Sequence, residues 1–393
     1  MTTTSETANL GRRAGQTMSR TAALVLVLAL LAAIFMPSAT AAGDDGSATA
    51  SWLAAQVRPD GSVLDPYTSE PSVDWSVNVA LALATTSSQT EALDRAMGHV
   101  ETNAEAYIIS GTSDPAGHIA WLIILAAATG RDPRAFGPTS INLVDRLIAR
   151  YGVTESGLFG TVDEYTPVTN QSLAIIALIS AGEGVEEAAI DWLLSQQCDG
   201  PTGHSGAWQG HREIGLPGSL DDCLTTSSTS YARPETGSTS YAVQALTAVR
   251  ASGYSNSRLD EAVSAAVDWL RGMQSTSGAA IGGFGQYVGD PADPNSTALV
   301  ILALVAAGVD PTTLAVDGED PFSSLMSWVK LSSPDAGAAS SPYSSGAADL
   351  FATFQAMWGI SADPFPFAFL SSGIAESGEG VGDPTEIAPA YTG

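Results

Sequence analysis

Positive charge is what this chain has least of. Its 393 residues carry 15 lysines and arginines against 42 aspartates and glutamates, for a net charge of -27. Lys330 is the sole lysine. A surface of that sign repels polyanions at long range, so nucleic acid and anionic membrane surfaces are excluded as partners. We read the acidity as a means of staying soluble or of tolerating salt. Cysteine is also scarce. Cys198 and Cys223 are the only two, and both fall in one glycine- and proline-rich loop, where a disulfide is expected. Four histidines occur, and none follows His211. The longest apolar run, Ala22 to Met36, is short for a membrane span.

That run sits in a recognisable setting. Arg12, Arg13 and Arg20 precede it, and Ala39 and Ala41 follow as a small-residue cleavage site. Residues 1–41 therefore read as a signal peptide on a general secretory route, cleaved after Ala41 to leave a secreted, extracellular protein. The alternative is an uncleaved N-terminal membrane anchor. Met18 also makes a complete signal if it is the start.

The remaining chain is long enough for one large core. Its clearest stretch runs from Asn256 to Gly308. Leu259, Val263, Val267, Leu270 and Met273 form one apolar stripe, so a helix there has one wet and one dry face. Ser257 with Asp260 three residues on resembles a capping box. From Thr297 to Ala307 the sequence is apolar all round, which means burial on every side. Asp293 caps this second helix, Pro294 starts it and Gly308 stops it. An amphipathic helix followed by a buried one is an outer–inner pair.

The pair recurs. Outer helices carry Trp52 to Gln56, Trp192 to Gln197 and Trp269 to Gln274. Each is followed by a crossing rich in glycine: Asp60 and Gly61, Gly206 to Trp208, or Gly282 to Gly285. Buried helices follow at Asp74 to Ala84, Ser238 to Leu246 and Pro294 to Ala307. Weaker copies predict buried helices at residues 117–129, 170–181 and 347–358. The spacing of six pairs is roughly 40 to 70 residues. Inner helices with neighbours on both flanks favour a closed ring over an open solenoid.

A tryptophan-leucine-glutamine outer helix, a glycine crossing and an alanine-leucine inner helix resemble the prenyltransferase/squalene-cyclase repeats. The resemblance spans residues 48–360. It implies an all-α fold, the (α/α)6 toroid of six outer–inner helix pairs, over residues 42–360. Apart from the resemblance, residues 361–393 read as a Pro/Gly/Glu-rich tail expected to be partly disordered, with residues 364–370 a segment that can dock on the toroid. The same ring carries terpenoid cyclases, protein prenyltransferases, complement thioester domains and cobalamin carriers, so the fold does not name the activity.

Family chemistry can be looked for residue by residue. No Asp-x-Asp-Asp cyclase acid and no Cys-Gly-Glu-Gln thioester run occurs. Asp221, Asp222 and Cys223 superficially match the Asp-x-Cys zinc pair of protein prenyltransferases. They lie about fifteen residues before the inner helix rather than at its start, and no later histidine completes the set. A metal site is not expected. Glycosidases need two facing carboxyls, for which Asp74, Glu235 and Asp349 are near inner-helix starts, but no motif selects a pair. A lyase constellation of His118, Tyr241 and Asn295 has little to support it. No catalytic residue is assigned.

If all six inner helices start at one mouth, their first-turn N–H groups favour a small anionic or polar group there. Asp74, Trp75, Asn78, His118, Trp121, Asn170, Gln171, Tyr241, Gln244 and Asn295 gather at those starts as candidate ligand-binding residues. Asp74, Asn170 and Ser238 also read as plain caps. The aromatic content suits a bulky, partly apolar small molecule. The resemblance to cobalamin carriers makes a corrinoid, or else an isoprenoid, the expected ligand, with no other cofactor. The capping domain of those carriers has no counterpart after residue 360, so a separate capping or membrane protein is an expected partner. The alternatives are a terpenoid cyclase/prenyltransferase-like enzyme and a cell-surface interaction module.

Overall fold

The computed structural model describes residues 46–109, 115–161, 167–198, 204–210 and 233–365. The expected signal peptide, His211, Asp221, Asp222, Cys223 and the tail beyond residue 365 lie outside the described residues. All described residues belong to one unit, Ala41–Gly393.

Outer and inner helices alternate from end to end. The outer helices are α1 (Ser47–Gln56), α3 (Thr90–Ile109), α5 (Leu143–Ile148), α7 (Glu187–Ser195), α9 (Ser257–Gly272) and α11 (Pro321–Met326). The inner helices are α2 (Val73–Ala84), α4 (Pro115–Ala128), α6 (Pro167–Ser180), α8 (Thr236–Ala251), α10 (Pro294–Ala306) and α12 (Leu350–Ser361). Each inner helix packs on the next, and α12 packs on α1 and α2, which closes the ring. The expected six-pair, all-α ring is the observed fold. Two short antiparallel ribbons, β1 (Val63–Leu64) with β2 (Pro71–Ser72) and β3 (Trp208–Gln209) with β4 (Pro234–Glu235), sit in outer-to-inner crossings. No helix among the described residues is long and apolar enough to cross a membrane.

The sequence pattern explains the two kinds of helix. In α10 the side chains from Thr297 to Leu304 are all buried, because α8, α12 and outer helices surround it. In α9 only Leu259, Ala262, Val263, Ala266, Val267, Trp269 and Leu270 are buried. Its cap differs from the expected one. Asn256, not Ser257, accepts from the Arg258 N–H at 2.9 Å, since its extended backbone places it one residue before the first turn. The sixth inner helix starts three residues later than expected, because Asp349 caps it and ends the preceding crossing.

The crossings are held by one repeated device. Gly61, Gly157, Gly206, Gly282 and Gly337 all have positive φ, and each lies against a backbone carbonyl of the next outer segment: Arg95, Ala188, Ala265, Glu319 and Ala48. Two residues after each glycine, a backbone N–H reaches a buried side-chain oxygen on the inner helix. Val63 N donates to Ser76 Oγ at 3.0 Å, Phe159 N to Gln171 Oε1 at 2.8 Å and Trp208 N to Thr239 Oγ1 at 2.9 Å. Phe284 N donates to Thr297 Oγ1 at 3.0 Å and Ala339 N to Thr353 Oγ1 at 2.9 Å. Glutamines just past the ends of two outer helices finish the joint. Gln197 Nε2 donates to the carbonyls of Gly206 and Ala262, and Gln274 Nε2 to those of Gly282 and Leu314. Each amide thus clips its own crossing to a following segment. Buried backbone groups need such partners, because an unpaired one costs about 1–3 kcal/mol.

Candidate functional site

The six inner helices begin on one face of the ring, and three consecutive ones begin with an acid. Glu235 caps α8, Asp293 caps α10 and Asp349 caps α12. Each precedes a threonine by four residues, and that threonine donates to the carbonyl of its cap. The distances are 2.7 Å for Thr239, 2.6 Å for Thr297 and 2.6 Å for Thr353. Because the same hydroxyl accepts from the crossing, the cap is fixed in place on both sides. The acids are therefore set at corresponding points of the mouth.

Their carboxylates already occupy the helix ends. Asp293 accepts from the Ser296 N–H and hydroxyl, both at 2.8 Å. Asp349 accepts from the Ala352 N–H at 3.1 Å and the Ser341 hydroxyl at 2.8 Å. Glu235 accepts from the Ser238 N–H and from Gln286 Nε2, the latter at 2.8 Å. Of the small anionic or polar group expected at these N-termini, the anionic choice is disfavoured at α8, α10 and α12. One first-turn N–H of each is taken by its own cap, and the mouth presents carboxylates at these three starts. Asp293 is the most enclosed of the three, and burial pushes its carboxyl up to about 6 against the hydrogen bonds from Ser296.

Between these caps lies a cavity of about 340 Å³. Tyr241, Leu299 and Phe351 supply apolar wall, and Glu235, Gln286, Asp293 and Asp349 supply polar wall. Two of the lining residues are amides that each keep an unpaired buried atom. Asn295 Nδ2 and Gln355 Oε1 are buried without a hydrogen-bond partner. One is a donor and the other an acceptor.

Below the cavity the bore is filled by the chain's own aromatics. Trp121 stacks on Trp358 with centroids 5.9 Å apart, and Phe354 lies 5.1 Å from Trp358. After α12 the chain turns back, and Phe365 packs edge-on to Trp121 at 5.6 Å and Trp358 at 5.4 Å. Phe365 N donates to Gln244 Oε1 at 3.0 Å. Docking of the segment after residue 360 is thus seen as far as Phe365, inside the ring.

Of the ten candidate residues, the structure brings Tyr241 and Asn295 to the cavity. The others have different tasks. Gln171 is fully buried and spans Phe159 N, Gly157 O and Ala189 O. Gln244 is fully buried and holds Phe365. Trp121 belongs to the bore, and Trp75 packs edge-on to Phe351 and Phe354. Asn78 donates to the carbonyl of Asp74 at 2.9 Å, within its own helix. Asn170 lies against Gly117 of α4. Asp74, Tyr107 and His118 form a separate cluster. Tyr107 Oη donates to Asp74 at 3.1 Å, and the Tyr107 ring stacks on His118 at 4.2 Å. Sequence reasoning named Glu235 and Asp349 together with Asp74 as candidate carboxyls and Asp293 only as a cap, and missed Gln286, Phe351 and Gln355. The acid-x-x-x-threonine spacing at three inner-helix starts was the available signal. Among the described residues, no group of three or more His, Cys, Asp or Glu is placed to hold a metal ion. Cys198 is buried, and its expected partner Cys223 lies outside the described residues.

Comparison with solved structures fits the ring. The fold is an (α/α)6 toroid. An inactive variant of the α-1,6-mannanase GH76A of Salegentibacter sp. HEL1_6, in complex with α-1,6-mannotriose, matches with a TM-score of 0.53 and 13% identity. That match covers 81% of this chain and 98% of the mannanase. An unsaturated glucuronyl hydrolase specific for heparin matches at 0.51 and 13% identity, covering 81% and 95%. The type II terpene cyclase MstE from Scytonema, with its geranylgeranyl dihydroxybenzoate substrate, matches at 0.50 and 14% identity, covering 81% and 95%. At these identities the likeness concerns the toroid alone. Neither family models nor curated proteins match the sequence.

Proposed function

We propose that the toroid is a binding module whose mouth receives part of an uncharged or cationic ligand that carries both donors and acceptors around a flat apolar body. The observation that carries this is that Asn295 and Gln355 line one cavity and each keeps an unpaired buried amide atom, Nδ2 and Oε1. Leaving a buried amide atom unpaired costs about 1–3 kcal/mol, and a ligand amide or hydroxyl would recover it. Phe351 and Tyr241 offer flat apolar contact beside them. The capped, acidic helix starts disfavour anions. A corrinoid, with carboxamides around a macrocycle, has this chemistry. A cavity of about 340 Å³ admits only an edge of so large a molecule, so the rest would lie across the mouth. An isoprenoid chain is less well served, because the apolar bore is filled by Trp121, Trp358 and Phe365.

A second reading is favoured by one observation. Asp293 is held toward its protonated form beside Glu235 and Asp349, which is the pairing of an acid with carboxylates that glycoside cleavage uses. Two of the similar toroids are glycan-acting enzymes. Against it, all three carboxyls are engaged as helix caps.

Native mass spectrometry of the chain from Ala42, mixed with cyanocobalamin, separates the readings. Under the first, a one-to-one adduct forms and is lost in the variant Asn295→Leu with Gln355→Leu. Release of reducing sugar from mannan or heparin fragments, abolished by Asp293→Asn, would instead establish the second. Absence of both outcomes rejects both readings.

A further inference from the structure

Nine large apolar side chains are exposed among the described residues, and in the chain all nine fall in or beside the outer-to-inner crossings, the side on which the inner helices begin. They occupy outer-to-inner crossings or the helix turns that adjoin them. Tyr67, Leu331 and Tyr343 are the most exposed, at 85%, 85% and 74%, and Ile109, Val288 and Phe351 accompany them. The inner-to-outer connections on the opposite face carry none of the nine. Exposed apolar residues scattered singly need no explanation, but their segregation to one end of a ring does.

Among the described residues of this face, the charge around Tyr67 and Tyr343 is acidic, while Arg150, exposed in the crossing after α5, is a cation farther round the ring. Asp65, Glu70 and Asp290 stand there without an ion pair. The nearby cations are used internally: Arg58 pairs with Asp60 at 3.8 Å, Lys330 with Asp335 at 3.4 Å, and Arg233 lies 4.2 Å over the Tyr287 ring. A second copy of this acidic chain would meet like charge, and so would an anionic bilayer.

We propose that the mouth face is a docking surface for another protein, one that presents an apolar centre ringed by lysine and arginine. Tyr67, Tyr343 and Leu331 supply the apolar anchors. Asp65, Glu70 and Asp290 select the partner by charge, and the cavity lies beneath the contact. This follows from the placement of side chains and does not depend on what the cavity binds.

The test is site-specific photo-crosslinking of the full chain in the cells that produce it. A benzophenone amino acid replaces Tyr67, Leu331 or Tyr343, and in controls Ser88 or Thr313 on the opposite face. The expected result is that the mouth positions crosslink to one shared polypeptide and the controls do not. That polypeptide, purified, should bind the chain. Binding should weaken by roughly tenfold or more in Tyr67→Asp with Leu331→Asp, and again when salt rises from about 0.05 to 0.5 M. Unchanged circular dichroism of the variant shows that the fold is kept. Crosslinks to lipid, to the chain's own residues 211–232 or to a second copy would overturn the proposal. So would equal crosslinking from both faces, no crosslink, or binding indifferent to the aspartates.

Discussion

Gly337 and Ala48 lie backbone to backbone: a Cβ on Gly337 would overlap the carbonyl oxygen of Ala48. Gly337 follows the last outer helix, and Ala48 belongs to the first, so this contact joins the two ends of the ring. It also uses a φ of +91°, which L side chains rarely adopt. Gly337→Ala combines strain with a clash, and we expect a loss of about 2–4 kcal/mol. Gly278 has a similar φ of +97° but open space around it. Gly278→Ala should cost only about 1 kcal/mol. Urea unfolding followed by circular dichroism compares the two, and equal losses would mean that ring closure contributes nothing.

The threonines of the inner helices give a second prediction. Thr297→Val keeps the volume of the side chain and removes the hydroxyl that Phe284 N–H uses. The stranded donor should lower stability by about 1–3 kcal/mol. Ser180→Ala, at the far end of α6, removes a hydroxyl that bonds only to its own helix. Its effect should stay within about 0.5 kcal/mol.

Asp293 makes the fold respond to pH. Its native pKa, about 6, is above its ordinary value of 3.8. Between those values the native state binds more protons than the unfolded chain, so this residue's contribution falls as pH rises through the window and is largest below it. The full span corresponds to about 3 kcal/mol as an order of magnitude. Asp293→Asn keeps a capping residue and removes the ionisation. Its stability relative to the native sequence should be higher at pH 7.5 and converge toward pH 4. A difference that does not vary with pH would rule out the shift.

Phe365 closes the bore from within, tied to Gln244. Phe365→Ala should cost about 3–5 kcal/mol, since a filled aromatic site becomes a cavity. It should also admit a small apolar molecule such as xenon beside Trp121 and Trp358, detectable by NMR. Gln244→Leu loses the hydrogen bond to Phe365 N but keeps the ring in contact, so its loss should be smaller.

Sequence alone determined the helix pairs and their number. An all-round apolar segment such as Thr297 to Leu304 has one stable environment, the inside of a packed layer, and the stripe of α9 has another, its outside. These are local consequences of 3.6-residue periodicity, and six such pairs in line already implied a ring. The cap at Asp293 was equally legible, because capping depends on residues within one turn. Tertiary structure decided what the polar residues at the mouth do. Gln171 and Gln244 look like ligand contacts in sequence, yet their amides are spent on Phe159, Gly157, Ala189 and Phe365, which are distant in the chain or outside its local pattern. Asn295 and Gln355 are left unpaired only because no neighbouring helix brings them a partner. Whether a polar side chain faces a ligand or a backbone carbonyl depends on which elements the closed ring sets beside it, and residue type and spacing do not encode that.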